Sequence, residues 1–442
     1  MHAVSESDRE DVLDVAILGA GFSGLAGARA LRQAGLGRLA VLEARDRVGG
    51  RVFNGNVAKG FPVELGGTWV GPGQWAVLDL AQELGIGLRP QYNSGDGYAI
   101  VEGQATRVPT TANPISDESF VANLDALAKT VPLDAPWTAP RAAEWDAMTY
   151  GDYLASANLS AEDSATMDVM TYLSYGALPD AISFLHVLQY NHAAGGFNRL
   201  ESIEGGAQEQ RIAGGSYVIA HKMAEELADI VRLSSPVTEI RGWDKPGQLE
   251  IETANGIVRA RRAILALSPS QAAGIRFTPA LPADKAALIE AWPTASTAIK
   301  VFMSYDSPFW RKQGLSGSVF NFGGVFIWAA DASPDDESIG VLGTLGPSGD
   351  ALTSAERKAA ILDSLAKCFG PEAMNPTAYV EQDWEQETYT RGCVSPLAKG
   401  VWNRHGPALR APTGCLHWAG TETATIWTGY LDGAVRAGRH AA

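Results

Sequence analysis

The chain has 442 residues, 46% of them hydrophobic and 19% charged, with a formal net charge of −15. That length suffices for two domains with substantial cores. The acidic balance argues against nucleic acid or an acidic membrane surface as partner and mildly favours cationic small molecules. Three cysteines, Cys368, Cys393 and Cys415, are odd in number and lack metal-ligand spacing, so neither a disulfide framework nor a metal is expected. The polar, acidic opening Met1–Asp11 lacks the apolar core of a secretion signal, and no uninterrupted apolar run reaches membrane-spanning length. A reducing, cytoplasmic location is the expectation.

Val15-Ala-Ile-Leu18 reads as a buried strand of a parallel sheet. Gly19, Gly21 and Gly24 follow as G-x-G-x-x-G, and a helix-forming segment begins there. The first glycine permits the tight turn, the second lets backbone approach a pyrophosphate, and the third lets helix sit close to strand. The helix N-terminus offers unpaired N–H groups and a partial positive charge to the phosphates. A second strand, Leu39-Ala-Val-Leu42, ends at Glu43, where a carboxylate accepts from both hydroxyls of an adenosine ribose. The βαβ unit is therefore suited to an adenine dinucleotide with a free 2′-hydroxyl. Ala44-Arg-Asp-Arg-Val-Gly-Gly-Arg51 adds arginines and glycines that suit a second clamp on a diphosphate, which points to FAD rather than NAD.

Glu64-Leu-Gly-Gly-Thr-Trp-Val-Gly-Pro72 is a glycine-rich loop after a short strand, either a close backbone approach to a ligand or a plain surface turn. From about 80 to 204 the pattern turns helical. Phe120, Leu124 and Leu127 recur at helical spacing, and Thr149-x-x-Asp152 and Ser160-x-x-Asp163 look like capped helix starts. Ile182, Leu185 and Leu188 predict a further helix stopped at Gly195-Gly196. Strands return near 205. Val231–Val237 reads as a strand ending beside the nucleotide, and Leu249–Val258 as a hairpin with a type I′ turn at Asn255-Gly256. Ala263–Leu267 is another buried strand. Beyond it come strands at about 297–303 and 340–345, a helix at about 354–369 closed by Gly370, a strand at Cys415–Gly420 and a last helix from Tyr430 to His440. The fold class is α/β, a Rossmann-like FAD-binding domain (1–80, 205–290, 385–442) interleaved with a mixed α+β substrate domain (81–204, 291–384).

Three features could carry chemistry. The C-terminal strand–loop–helix aims a helix N-terminus between the domains, where Glu422 could bind ribityl hydroxyls; simple docking of the helix on the sheet is the alternative. Lys300 shares a period-two face with Ala298 and Phe302, so it either snorkels from an edge or is held inside for a purpose. Trp384, Trp427 and Tyr430 fall near the flavin end, as packing or as a cage. The scattered histidines take no role, and no Ser-His-Asp set or carboxylate pair supports hydrolysis.

These residues together resemble the flavin-containing monoamine oxidases over nearly the whole chain. The motifs are Gly19-x-Gly-x-x-Gly24, Glu43–Arg51, Leu65-Gly-Gly-Thr-Trp-Val-Gly-Pro72 and Gly420-Thr-Glu-Thr-Ala-Thr425. Asp134-Ala-Pro-Trp137, Glu144-Trp-Asp-x-Met-Thr149 and Ile299-Lys300 before Pro308-Phe-Trp310 match within the substrate domain. The resemblance implies that Lys300 holds a water against flavin N5, that Tyr430 is one wall of an aromatic cage and that Trp384 supports the flavin. Gln208 and Val394 would line the substrate cavity, Val394 replacing the cage's second aromatic and leaving it one-sided. Cofactor contacts are expected from Gly19, Gly21, Ser23, Gly24, Glu43, Ala44, Arg45, Gly50, Arg51, Gly66, Gly67, Thr68, Val237, Cys393, Gly420, Glu422, Tyr430 and Leu431. Cys393 stands where some members bond the flavin through sulfur; a nearby arginine would favour its thiolate, and inert packing beside the ring is the alternative.

The implied activity is FAD-dependent oxidation of a small, largely apolar primary or secondary amine to an imine and then a carbonyl compound, with O2 reduced to H2O2. The partners are the amine and O2, with neither nucleic acid nor membrane; a homodimer is left open. An amino-acid oxidase or other dehydrogenase of the same fold is the nearest rival, and a non-catalytic flavoprotein module is the rival of another class.

Overall fold

A computed structural model describes residues 12–110, 115–293, 298–347 and 352–442. The polar opening of the chain and Thr297, which begins the strand expected near Lys300, lie outside them. The strand β1 (Leu13–Leu18), the helix α1 (Phe22–Gln33) and the strand β2 (Leu39–Leu42) form the expected βαβ unit. β1 runs parallel to β2 on one side and to the strand Gly256–Leu265 on the other, with Ala16 opposite both Ala40 and Ala263. Val231–Arg232 extends the sheet beyond β2, and Leu416–Trp418 pairs in parallel with the end of Gly256–Leu265. Antiparallel Leu249–Thr253 and Val237–Arg241, then Arg276–Thr278, complete eight strands. Because β1 has parallel neighbours on both sides, a crevice opens at its C-terminal end, where such sheets receive ligands.

The stretch Val231–Val237 is two strands rather than one. The chain breaks at Ser234, with φ +49°, so that the amides of Ser234 and Ser235 bond the Arg45 and Glu43 carbonyls. The break closes off the end of β2 instead of prolonging a strand. The hairpin also differs from expectation. Its loop residues are Ala254 and Asn255, neither at positive φ, and the positive φ of +117° falls on Gly256, paired opposite Thr253. Thr253 Oγ1 accepts from the Asn255 amide and donates to the Gly256 carbonyl, a side-chain turn in place of type I′.

A second sheet of seven strands runs in the order Ala378–Asp383, Ile299–Tyr305, Gly340–Gly346, Trp328–Asp331, Leu315–Asn321, Asp96–Val101, Gln104–Val108. Ile299–Tyr305 is therefore an interior strand, buried at every residue. Lys300 has no edge from which to snorkel. A helical layer covers the cavity side. Its helices include Glu118–Ala128, Tyr150–Ser156, Ala161–Tyr175 and Phe184–Ala194, with a shared core of Phe120, Leu124, Phe184, Leu185 and Leu188. Thr149 and Asp152 form a reciprocal capping box, and Ser160 caps through the Asp163 amide. Ile182 precedes its helix, for which Ser183 is the N-cap.

The C-terminal helix Leu431–Ala441 crosses α1 at Gly27 and Gly438. A β-carbon at Gly438 would overlap the Ser23 carbonyl, and one at Gly27 would lie 2.9 Å from the Gly438 carbonyl oxygen. Both atoms are backbone and cannot swing aside. Gly438→Ala is expected to destabilise the fold by about 1–3 kcal/mol through overpacking, read as a lower urea midpoint. Gly37→Ala, at a site with no atom within 4 Å, should stay within about 0.5 kcal/mol of the parent.

Candidate active site

A continuous cavity of about 740 Å³ starts at the β1–α1 turn and ends among Lys300, Trp384, Tyr190 and Tyr430. Gly19 and Gly21 line its entrance end; Gly24 does not, because it packs against the Gly19 carbonyl and lets α1 approach β1. Gly19 takes φ +99°, which only glycine adopts readily, and a β-carbon there would also meet the Ala266 carbonyl. Gly21 is the N-cap of α1 without a side-chain cap, so the helix presents backbone donors to the cavity. Ser23 Oγ donates to the Ala419 carbonyl, tying that turn to the loop before Gly420.

Glu43 is buried at the end of β2 and accepts from the amides of Ala20 at 2.7 Å and Arg45 at 3.0 Å. Both bonds fix the carboxylate at the cavity wall, where Ala44 and Val237 adjoin it. The three arginines beyond it part company. Arg45 lines the cavity but spends its guanidinium on Glu387, at 2.9 Å, and on Thr390. Arg47 turns away to lie over the Phe53 ring at 4.4 Å. Arg51 lines the cavity, pairs with Glu422 at 2.7 Å and donates to the Cys393 carbonyl at 2.9 Å. The expected clamp of arginines thus reduces to Arg45 and Arg51, each already paired, because Phe53 and the Val48 and Gly50 carbonyls hold Arg47 elsewhere.

Gly66, Gly67 and Thr68 line the middle of the cavity, so their loop is a wall rather than a surface turn. Lys300 reaches this loop from the second sheet. Its Nζ donates to Thr68 Oγ1, to the Gly66 carbonyl at 2.6 Å and to the Glu64 carbonyl at 3.4 Å, and sits 5.0 Å from the Trp69 ring centre. Burial lowers its pKa to about 8. The nearby Glu64 carboxylate opposes that shift but is itself ion-paired to buried Arg211, whose charge disfavours a second cation. Trp384 is buried beside Lys300 with its indole N–H on the Leu65 carbonyl at 2.6 Å.

Tyr430 is the N-cap residue of the last helix, not its first turn, and that N-terminus has no side-chain cap. Its ring stands 5.1 Å from Trp427, edge-on, and 6.0 Å from Tyr190. Tyr190, from the helix Phe184–Ala194, lines the same cavity and is the aromatic neighbour that the sequence did not reveal. Val394 lines the cavity without supplying that ring. Tyr190 is one of many buried aromatics at helical spacing, and only the approach of the C-terminal segment distinguishes it. Gln208 lines the cavity with its side-chain N–H on the Leu200 carbonyl at 3.1 Å and its oxygen buried without a partner.

Cys393 opens onto the cavity, yet burial pushes its thiol pKa up despite Arg51 and Lys300. The cation acting on it is Arg51 rather than the adjacent, exposed Arg391, and desolvation outweighs it. Glu422 stands behind the main cavity, in a pocket of about 20 Å³ with His186, Tyr190 and Thr428. Both its oxygens are buried without an in-line hydrogen-bond donor. Gly420 and Leu431 line the main cavity on either side of it. Among the described residues no group of three or more His, Cys, Asp or Glu could hold a metal, and no helix is long and apolar enough to cross a membrane.

Residues 22–442 match the model of the family described as flavin containing amine oxidoreductase. The chain is 37% identical over 440 residues to a putative flavin-containing monoamine oxidase, AofH, of Mycobacterium tuberculosis, covering 97% of this chain and 96% of that protein. It is 34% identical to the flavin-containing amine oxidase B of Sus scrofa, over 97% and 85% of the two chains. The structure is similar to cyclohexylamine oxidase from Brevibacterium oxydans, with a TM-score of 0.90, 34% identity and 97% and 98% coverage. It is similar also to putrescine oxidase bound to putrescine, at a TM-score of 0.89 with 32% identity and 97% coverage of each. A mutant of that enzyme from a redesign of cofactor binding, with cysteine in place of one alanine, matches equally well, at 0.89 and 32%. Fold, site and these likenesses agree: the chain belongs to the flavin-containing amine oxidase family.

Proposed function

We propose that this chain oxidatively deaminates a small, largely apolar primary or secondary amine, reducing O2 to H2O2. The observation that carries the reading is the cavity itself, which joins a dinucleotide cradle to a chamber of two tyrosines and a buried lysine. The residues fit FAD on several counts. Two uncapped helix N-termini, at Gly21 and Tyr430, supply backbone donors, and the Glu43 carboxylate on the cavity wall would accept from ribose hydroxyls. Glu422, ion-paired to Arg51, keeps a second carboxylate oxygen that ribityl hydroxyls would satisfy. Gly19, Gly21, Ser23, Ala44, Arg45, Gly50 and Arg51 would hold the adenine half, and Gly66, Gly67, Thr68, Trp384, Cys393, Gly420 and Leu431 the flavin half. FAD bound there would take a hydride equivalent from the amine's α-carbon and pass the electrons to O2.

Tyr430, with Tyr190 packed against it, would form one wall beside the amine and orient its α-carbon, while the helical layer over them excludes water. Val394 and Gln208 would shape the far wall. The apolar lining favours the body of an alkyl, cyclic or aryl amine. A panel of amines and L-amino acids read by peroxide release tests this reading. Cyclic or aromatic monoamines should give the highest kcat/KM; preference for an amino acid would reject it.

In its ammonium form Lys300 commits its donors to Thr68, Gly66 and Glu64. The neutral amine, dominant above about pH 8, can in addition accept a hydrogen bond from a water. The half-reaction that Lys300 serves should therefore accelerate as pH rises through about 8. Lys300→Met should stay folded and flavin-loaded, slow that step by about 10²-fold and lose the inflexion. Stopped-flow rates of flavin reduction and reoxidation across pH check this; equal rates in parent and variant would remove Lys300 from the reaction.

Cys393 would bond the flavin from its place on the cavity wall, a reading supported by its exposure there and by the cysteine placed in the putrescine oxidase redesigned for cofactor binding. The raised thiol pKa makes such a bond form slowly at neutral pH. Acid precipitation should leave the yellow colour in the pellet, and Cys393→Ala should release it while the fold persists. Colour in the supernatant of the parent would make Cys393 a packing residue.

A further inference from the structure

Glu201 ends the short helix Phe197–Glu201 and plays no part in the reaction as described. Its carboxylate accepts from Ser174 Oγ at 2.7 Å, and Ser174 lines the cavity. Glu201 is itself partly accessible, and through Ser174 its carboxylate stands one hydrogen bond behind the cavity wall. No lysine, arginine or histidine pairs with it among the described residues. The titratable groups that feel its charge come from four elements: Tyr150, Tyr175, Tyr190 and Tyr430. Burial raises all four phenols, so they stay neutral, and His186 against Tyr175 and Tyr190 is held neutral with a pKa near 3.

A carboxyl is thus set among tyrosines beside the chamber, with a single hydroxyl donor and no cation of the protein's own. Buried carboxylates are ordinarily paired, and an unpaired one is costly. We propose that Glu201 is the counter-charge for the substrate's alkylammonium and so decides for cationic amines over neutral ligands of the same shape. The proposal rests on the reading of the chamber as an amine site and names the residue that would recognise the charge. Two sources share that chemistry, the ammonium form of the reacting amine, which must give up its N–H proton before hydride leaves the α-carbon, and a second ammonium at the far end of a diamine.

Burial holds the Glu201 carboxyl at a pKa of about 8, with the Ser174 hydroxyl opposing the shift. An arriving ammonium favours the ionised form. Affinity for the cation should therefore rise as pH climbs towards 8, where less work is needed to ionise the carboxyl.

The test uses tert-butylamine, which has no α-hydrogen and cannot be oxidised, titrated into the flavin-loaded enzyme and read by perturbation of the flavin spectrum. Glu201→Gln keeps size and shape and should weaken its binding roughly tenfold or more. It should also flatten the pH dependence and leave tert-butanol binding unchanged. Glu201→Asp should recover part of the affinity. Turnover then separates the sources: kcat/KM falling alike for cyclohexylamine and putrescine assigns the reacting ammonium, and a fall for putrescine alone assigns the distal one. Unchanged tert-butylamine affinity across pH in Glu201→Gln, with flavin content preserved, would overturn the proposal. A parent enzyme that oxidises no amine at all would instead overturn the function on which it rests.

Discussion

The close crossing of α1 with the C-terminal helix is the constraint from which the site follows. These segments lie at opposite ends of the sequence, yet they meet with peptide against peptide at Gly27 and Gly438. The Ser23 hydroxyl on the Ala419 carbonyl locks the same junction at the cavity. With the helices held this close, both N-termini, at Gly21 and Tyr430, face one space. Each brings uncapped amides and a partial positive charge. A bulkier contact would part the helices and leave two separate helix ends. The positive ends of two dipoles at one cavity make a place for an electron-rich, anionic group, and the glycines are what permit it.

The second sheet brings a charge of its own under opposite rules. Lys300 lies on an interior strand, and its neighbourhood contains the buried Glu64–Arg211 pair. Burial alone would raise the Glu64 pKa, but the Arg211 guanidinium overcomes it and holds the carboxylate ionised. Arg211 also donates to Gln91 Oε1 at 3.1 Å, so the pair is hydrogen-bonded beyond its own contact. Such a pair cancels most of its field at a distance, and Lys300 inherits little of Glu64's negative charge. A lone carboxylate there would have kept Lys300 a firm cation. The neutralised one leaves an amine that titrates near the working pH of most enzymes.

Local patterns in the sequence carried the βαβ unit, the helix Ser354–Phe369 before Gly370 and the Thr149 capping box, because each depends on neighbours within a few residues. Most of the readings that failed concern partners distant in the chain, and Arg47 and the hairpin turn failed for local reasons. Whether Lys300 was edge or interior turned on Gly340–Gly346 and Ala378–Asp383 lying on both sides of it. Arg47 was diverted by Phe53 and by carbonyls of its own loop. The cation beside Cys393 came from Arg51, not from adjacent Arg391. Tyr190 carried no mark among the helical aromatics, although it packs against Tyr430 in the cavity wall. The type I′ turn failed for a local reason: Thr253 offered its hydroxyl to the loop, and a two-residue loop one position earlier won.

The electrostatics of the cavity divide along its length. At the dinucleotide end the donors are helix N-termini and two arginines, so negative charge is welcome there. Beyond Trp384 the walls include phenols and a thiol held neutral by burial, with the Glu201 carboxyl one hydrogen bond behind Ser174. The basic residues lining the cavity are Arg45, Arg51, Arg391 and Lys300, and Arg45 and Arg51 are spent on Glu387 and Glu422. A cation among the tyrosines would meet ring faces before it nears Lys300. There the depressed lysine pKa lowers the cost of approach, since a neutral amine does not repel an ammonium. The same burial that makes Lys300 able to accept a hydrogen bond thus also lowers the electrostatic cost of bringing a cation into this end of the cavity.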